Sequence, residues 1–564
     1  MSKELQELRD QRDTDGLVKR RASTIDSPSQ GSSGTSRYSP QEVVIDEFEL
    51  EAASLELGGV AVEVQEVVQI FKVFATFFRP HFPILGSISM NAIYITSPFL
   101  FWTIIAVVSA RLYEGADNSL FDRIRVPYDE LLKSEILNAP LPLQKIQALL
   151  YLCMWPLPVE TQTQDPSWLY SGIALNSALY MGLHRQGPMP SLRSVGVASG
   201  STQARANTWL GCFYVSTALG MHLGLPSLIN SESDIAAIRT ILNEYAPSHE
   251  FATQVRVQLV VASFASILSN NSNTEIDSSL VRMVDTELDA IKTACADGWT
   301  DMAELGVLAA KLHFYALVIT RIRPGATSRD ILLKLGLGVS LRIAHLTNAR
   351  LHDNNNSTET HNLTLQQRLR THPKNYFRGL AFATVFLLRY FSLNSAAHAD
   401  EQQMAANHVM VAHHIFQTCA TSPQDEPGRA ASLFETLGRQ APISADATKL
   451  RLTDRMGVSI LLDAVSTASE VRGRPVEIAE GETPKGTPVY AKEEPYGVLN
   501  NRELPVNGDG SGGGGGVQEP WLAELTLSNN DMWNETVWDM FGYQTGFPHA
   551  GMHPHQPEIQ PHHQ

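Results

Sequence analysis

His398, His408, His413 and His414 lie near one another in the sequence, and imidazoles gathered this way could hold a metal ion or relay a proton. His413 and His414 are adjacent, however, so on a helix they point about 100° apart and cannot easily share one ion. They read as ordinary histidines on a polar face. The closing His549, His553, His555, His562 and His563 could hold metal loosely, but their Pro/Gln/Gly setting supplies no preformed geometry. Cys153, Cys212, Cys295 and Cys419 are far apart, each in a helix-like context. Structural zinc sites use closely spaced Cys or His pairs, so these four read as buried free thiols. They form no disulfide framework either, which favours an intracellular compartment. No metal site is expected. A glycine loop with its lysine for phosphate, a Gly-x-Ser-x-Gly elbow and a His-Glu-x-x-His pair are all missing. No catalytic residue is therefore proposed, and the chain is not expected to be an enzyme.

Two other stretches carry chemistry of a different kind. Near the C-terminus, Asp531-Met532-Trp533-Asn534-Glu535-Thr536-Val537-Trp538-Asp539-Met540-Phe541 alternates large apolar side chains with acids that keep them in water. That composition suits a disordered activation segment folding as an amphipathic helix on a partner's groove, with Trp533, Val537, Trp538 and Phe541 as its face. A helix docked on the protein's own body is the competing reading. Near the N-terminus, Lys19-Arg20-Arg21-Ala22-Ser23 resembles a basophilic kinase site, because an acidic pocket can pair with both guanidiniums; Ser23 is the candidate phosphosite. The same triplet is otherwise a solvated run of charge.

The elements that must position these groups are helical. Val64, Val67, Val68, Phe71, Phe74 and Phe78 make a helical stripe ended by Arg79-Pro80. Helices are then predicted at roughly 98–113, 118–126, 128–138, 142–155, 166–182, 202–223, 231–245, 248–269, 273–297, 301–322, 328–349, 374–395, 401–419, 428–440 and 448–471. No window shows sustained strand alternation between hairpin turns. The helix after Asp165-Pro166 is apolar over more than half its girth, so Trp168, Leu175 and Leu179 are assigned to the core, together with Trp209 and Phe213 of the next long helix. The aromatic stretch Tyr376 to Phe391 could line a small-molecule pocket, although packing explains it as well. The domain reading is a disordered segment 1–63, a helical domain 64–471, a flexible linker 472–516 ending in a glycine run, and an acidic-aromatic segment with a His/Pro/Gln tail at 517–564.

Composition bounds the partners. Of the 564 residues 43% are hydrophobic, enough for a sizeable core, and the formal net charge is −16. Such a chain is repelled by phosphate backbones unless a local basic patch overrides the total, and no such patch of any length appears. From His81 to Ala110 there is no Asp, Glu, Lys or Arg, but Ser97-Pro98 reads as a helix start. The remaining helix is of about 15 residues, too short to span a bilayer comfortably, so no membrane partner is expected.

The helix ending in Trp155, the Pro-rich gap and Pro166-Ser167-Trp168-Leu169-Tyr170-Ser171-Gly172 onward to His184-Arg185 occur in order with a second helix, Ala204 to Val215. That second helix closes at Leu223-Gly224-Leu225-Pro226. Together they resemble the middle homology region of fungal zinc-cluster transcription factors, over roughly residues 66–470. Arg205, Trp209 and Phe213 fit the family's pattern, whereas Ser216-Thr217 stands where an Asp-Arg pair is expected and Leu225 where an exit arginine is expected. The resemblance implies an all-α helical array of the middle-homology-region type and a nuclear regulator of nutrient, stress or secondary-metabolite genes. It further implies a coactivator or DNA-binding partner protein, with a homodimer as one form. In the family an N-terminal six-cysteine module reads DNA with zinc. Before Cys153 this chain has no cysteine, so DNA would be reached only indirectly, and zinc is expected only with an upstream module. The rival class is a helical scaffold or small-molecule-binding protein without a transcriptional role.

Overall fold

Seventeen α-helices and one two-stranded hairpin make up the described part of the chain. The computed structural model describes residues 53–472, apart from 87, 113–118, 160–163, 186, 188, 192–199, 246–247, 271–277, 323–325, 353–362, 395–396, 424 and 440–454. Ser23, the linker 472–516 beyond its first residue and the segment 517–564, with Trp533, Val537, Trp538 and Phe541, lie outside the described residues.

The hairpin pairs β1 (Ser54–Leu57) with β2 (Val60–Glu63) in antiparallel register. Leu55, Leu57 and Val62 are buried while Ser54, Glu56 and Glu63 face outward. This corrects the assignment of residues 54–63 to a disordered segment. The signal was present but short: four-residue alternations flank Gly58-Gly59, whose φ values of +54° and +83° are those of a tight hairpin turn that only glycine adopts without strain.

The helices follow in order. The first group is α1 (Val64–Val73), α2 (Met90–Thr96), α3 (Pro98–Leu112), α4 (Leu120–Ile136), α5 (Leu143–Met154), α6 (Ser167–Tyr180) and α7 (Thr202–Leu223). Then come α8 (Glu232–Tyr245), α9 (His249–Asn270), α10 (Ser278–Ala294), α11 (Asp301–Arg321) and α12 (Thr327–His352). The last are α13 (Leu365–Arg370), α14 (Lys374–Leu393), α15 (Ala399–Cys419), α16 (Glu426–Gly438) and α17 (Ser459–Arg472).

The uncharged stretch of the sequence becomes α3, buried on every residue from Phe99 to Ala110 and enclosed by α1, α2, α4 and α5. Its polar residues are satisfied locally: Thr103 Oγ1 donates to the carbonyl of Phe99 at 2.7 Å, and Tyr128 Oη meets that hydroxyl at 2.8 Å. Helix α11 is long and apolar enough to cross a membrane by length and composition, yet 83% of that stretch is buried inside the protein. It packs on α9, α12 and α14. Helices α12 and α14 approach closely at Gly336, where an added Cβ would lie 2.4 Å from the ring of Phe386.

Several helical boundaries differ from the sequence reading. Helices expected at 118–126 and 128–138 are one, α4, running through Pro127. Proline removes one N–H from the ladder; here its ring supports the hairpin turn, since a Cβ on Gly58 would come within 2.5 Å of Pro127 Cβ. Arg123 Nη2 completes that contact by donating to the carbonyl of Ala61 at 2.7 Å. The short helices α2 and α13 were not anticipated, because six or seven residues carry too little periodicity to read. Their caps are nonetheless written in the sequence: Ser89 accepts from the amide of Ala92, and Thr364 forms a reciprocal capping box with Gln367.

Candidate functional site

Helix α6 begins with a carboxylate that does two jobs. Asp165 Oδ1 accepts from the amide of Ser167 at 2.9 Å and from its hydroxyl at 2.5 Å, closing the first turn. Oδ2 accepts from Lys374 Nζ at 2.7 Å and Arg378 Nη2 at 3.4 Å, both on α14. Burial alone would raise the Asp165 pKa, but Lys374, Arg378 and the hydroxyl of Ser167 hold it well below the usual carboxylate range. Lys374 also reaches Glu426 Oε2 at 3.1 Å. The chain is tied across the same seam by Trp155, fully buried, whose Nε1 donates to the carbonyl of Thr371 at 2.8 Å.

Lys374, Phe377, Arg378 and Ala381 follow the i, i+3, i+4, i+7 spacing of one helical face. That face opens on a cavity of about 230 Å³. Arg111 of α3, Arg125 of α4, Arg370 of α13 and Arg429 of α16 line it with Lys374 and Arg378, while Asp425 and Glu426 are its acids. Leu157, Phe377, Phe416 and Cys419 supply apolar walls. Arg370, Lys374 and Arg429 are buried. Asp425 is committed to its own helix: Oδ1 accepts from the amide of Gly428, and Oδ2 from the amides of Thr421 and Ser422. Sequence reasoning missed this cavity, because its cations come from five separate helices and no local pattern marks them. The one available hint was the aromatic stretch 376–391, of which Phe377 does face the cavity while Phe382, Val385, Phe386 and Leu387 fill the core.

The residues assigned to the core separate. Trp209 is 2% exposed, Phe213 is fully buried and Leu175 is buried. Trp168 is only partly buried, and Leu179 is 43% exposed; their assignment to the core is corrected. Helix α6 buries its small face, Ser167, Ser171, Ala174 and Ala178, so that α5 and α7 can approach closely. The larger Leu169, Leu179 and Tyr180 are displaced outward. Arg205, at the start of α7, donates through Nη2 to the carbonyls of Gly182 at 2.6 Å and Gly187 at 3.2 Å, gathering the C-terminal end of α6. Where an Asp-Arg pair was expected, Ser216 and Thr217 are buried, and Thr217 Oγ1 meets Ser227 Oγ at 3.2 Å.

The histidines picked out by sequence do not converge. His413 Nε2 faces Glu435 Oε1 at 2.9 Å, His408 Nδ1 faces the carbonyl of Met404 at 2.7 Å, and His398 caps α15. Among the described residues no three His, Cys, Asp or Glu side chains form a metal-holding group. A different pair lies in the core: His313 Nε2 and His222 Nδ1 are 3.2 Å apart, and His313 stacks on Phe382 with centroids 4.1 Å apart. Burial lowers the pKa of His313 to about 3, and burial with the charges of His313 and Arg378 holds His222 well below its ordinary value. Cys153, Cys212 and Cys419 are buried free thiols, and Cys295 is partly buried.

The fungal specific transcription factor domain matches residues 71–290, which run from α1 into α10. Over that stretch the chain is similar to the family. The SEF1 protein of Eremothecium gossypii is 24% identical over 448 residues, covering 75% of this chain and 40% of the relative. The transcriptional regulatory protein SEF1 of Candida albicans is 30% identical over 178 residues, 31% of this chain and 19% of the relative. The regulatory protein LEU3 of Saccharomyces cerevisiae is 23% identical over 308 residues, 50% of this chain and 34% of the relative. The chain therefore spans 40% or less of the length of these relatives. No solved structure matches it significantly.

Proposed function

We propose that this chain is a nuclear regulator of fungal gene transcription, whose helical domain governs the output of the C-terminal segment 517–564. The observation that carries the reading is the transcription factor domain over residues 71–290, together with relatives named as regulators. In this reading Trp533, Val537, Trp538 and Phe541 bind a coactivator, and Ser23 is a phosphorylation site that adjusts activity. The body of the chain contributes no catalysis. With a net charge of −16 it reaches promoters through a DNA-binding partner, or through a zinc module where one is joined to it. The test is a fusion of residues 517–564 to a heterologous DNA-binding domain in yeast. Reporter output well above the unfused domain supports the reading, and output at background removes the activation segment from it.

A further inference from the structure

Ser-Pro or Thr-Pro pairs occur at Ser27-Pro28, Ser39-Pro40, Ser97-Pro98, Ser422-Pro423, Thr483-Pro484 and Thr487-Pro488. Two of them fall among the described residues, and they differ in access. Ser97 is 6% exposed and caps α3, accepting from the amide of Leu100. Ser422 and Pro423 are both exposed, in the turn between α15 and α16. A residue that precedes proline is pushed toward extended backbone, the form in which a kinase cleft takes its substrate. Ser422 Oγ accepts from the amide of Asp425 at 3.2 Å, and the Ser422 amide donates to Asp425 Oδ2 at 3.3 Å; both bonds are exposed to solvent.

Ser422 also belongs to the wall of the cavity of about 230 Å³, together with Arg111, Arg125, Arg370 and Arg429. These bases are engaged within the protein, Arg111 for one donating to the carbonyl of Pro156 at 2.9 Å. A new anion beside them therefore shares donors and fills no vacancy. Guanidinium suits that role, since its five N–H groups bond several acceptors at once.

We propose that Ser422 is a phosphorylation site for a proline-directed protein kinase, and that its phosphate folds onto the arginines of this cavity wall. In the transfer Ser422 Oγ bonds to the γ-phosphorus of ATP, the bond from that phosphorus to the β-phosphate oxygen breaks, and ADP leaves. The hydroxyl proton passes to the kinase's own carboxylate base. The product carries nearly two negative charges and three acceptor oxygens. Asp425 and Glu426, at the start of α16, repel it, whereas Arg125 of α4 and Arg370 of α13 attract it. The modification thus ties the α15–α16 turn to helices far from it in the sequence. It goes beyond the transcriptional reading and does not depend on it.

The test uses the full-length chain carrying Ser27→Ala, Ser39→Ala, Thr483→Ala and Thr487→Ala, which leaves Ser97 and Ser422 as its Ser/Thr-Pro hydroxyls. Incubated with ATP and a purified mitogen-activated protein kinase, the folded chain should gain phosphate on Ser422 by mass spectrometry. Adding Ser422→Ala should abolish the uptake. The phosphorus-31 resonance should then titrate lower than in the same chain unfolded in urea, by roughly half a pH unit or more, because neighbouring guanidiniums favour the dianion. Arg370→Gln should remove most of that shift. Arg125→Gln, at an exposed position, should remove part of it without lowering the melting temperature, and it decides the matter if Arg370→Gln does not fold. Lack of phosphate on Ser422 overturns the proposal, as does a phosphate that titrates as in the unfolded chain or a midpoint that neither arginine variant moves.

Discussion

Asp165 and Lys374, 209 residues apart in the chain, meet as a buried ion pair 2.7 Å long, and the same carboxylate caps α6. One side chain thus fixes where a helix of the family domain starts and how it is held to α14. Asp165→Asn keeps an acceptor for Ser167 but removes the charge, leaving Lys374 and Arg378 buried beside a neutral group. Loss of one partner from a buried pair costs about 3–5 kcal/mol. Urea unfolding followed by circular dichroism should show that loss, and adding Lys374→Met should restore part of it.

Stability should fall on mild acidification. Buried His313 titrates at about 3 and His372 at about 4 in the folded chain, and His81 and His222 also lie well below the ordinary imidazole value of 6.5. Below that value the unfolded chain takes up protons that the folded one refuses, so stability present above pH 6.5 is lost as pH falls toward the folded values. The slope is about 1.4 kcal/mol per pH unit for each proton of difference. Asp165 adds a loss of the same sign at lower pH: its folded pKa is depressed, so its contribution is complete above the unfolded value of about 3.9 and disappears below it. Melting temperatures from pH 8 to pH 5 check this, and His372→Phe should flatten the decline between pH 6.5 and 5.

The two tryptophans placed together in the core should differ. Trp209 is 2% exposed, so Trp209→Ala should cost about 3–5 kcal/mol through the cavity it leaves. Trp168 is only partly buried, and Trp168→Ala should cost clearly less. Equal losses in thermal unfolding would contradict the outward displacement of the large face of α6.

Thiol reactivity should rank the cysteines. Burial pushes Cys419 up to about 12 and raises Cys153 and Cys212 well above the ordinary thiol value, so their thiolates are scarce at neutral pH. Cys295 is only partly buried, and Arg256 Nη1 lies 3.5 Å from its sulfur. A maleimide should label Cys295 first in the native chain, with Cys295→Ser removing the fast phase and the other three thiols reacting only on unfolding.

Long periodic helices were legible because their apolar spacing and caps are local: Ser201 before α7 and Gly224 after it, with φ of +65°, mark both ends in the sequence. The hairpin Ser54–Glu63 was too short for its alternation to stand out. Leu179 misled because an apolar helix that packs through Ser171, Ala174 and Ala178 turns its large residues outward, and hydrophobicity alone cannot tell which face wins. The cation-lined cavity was illegible for a different reason: Arg111, Arg370, Lys374 and Arg429 become neighbours only through tertiary packing.

As proposed, the chain regulates transcription through the C-terminal aromatic face of Trp533, Val537, Trp538 and Phe541. The most direct measurement is reporter output from the full-length chain joined to a heterologous DNA-binding domain, with and without Trp533→Ala, Trp538→Ala and Phe541→Ala combined. Strong activation by the parent, background output from the triple variant and the same melting temperature for both helical bodies are expected. Background output from the parent, or full activation by the triple variant, would contradict the proposal.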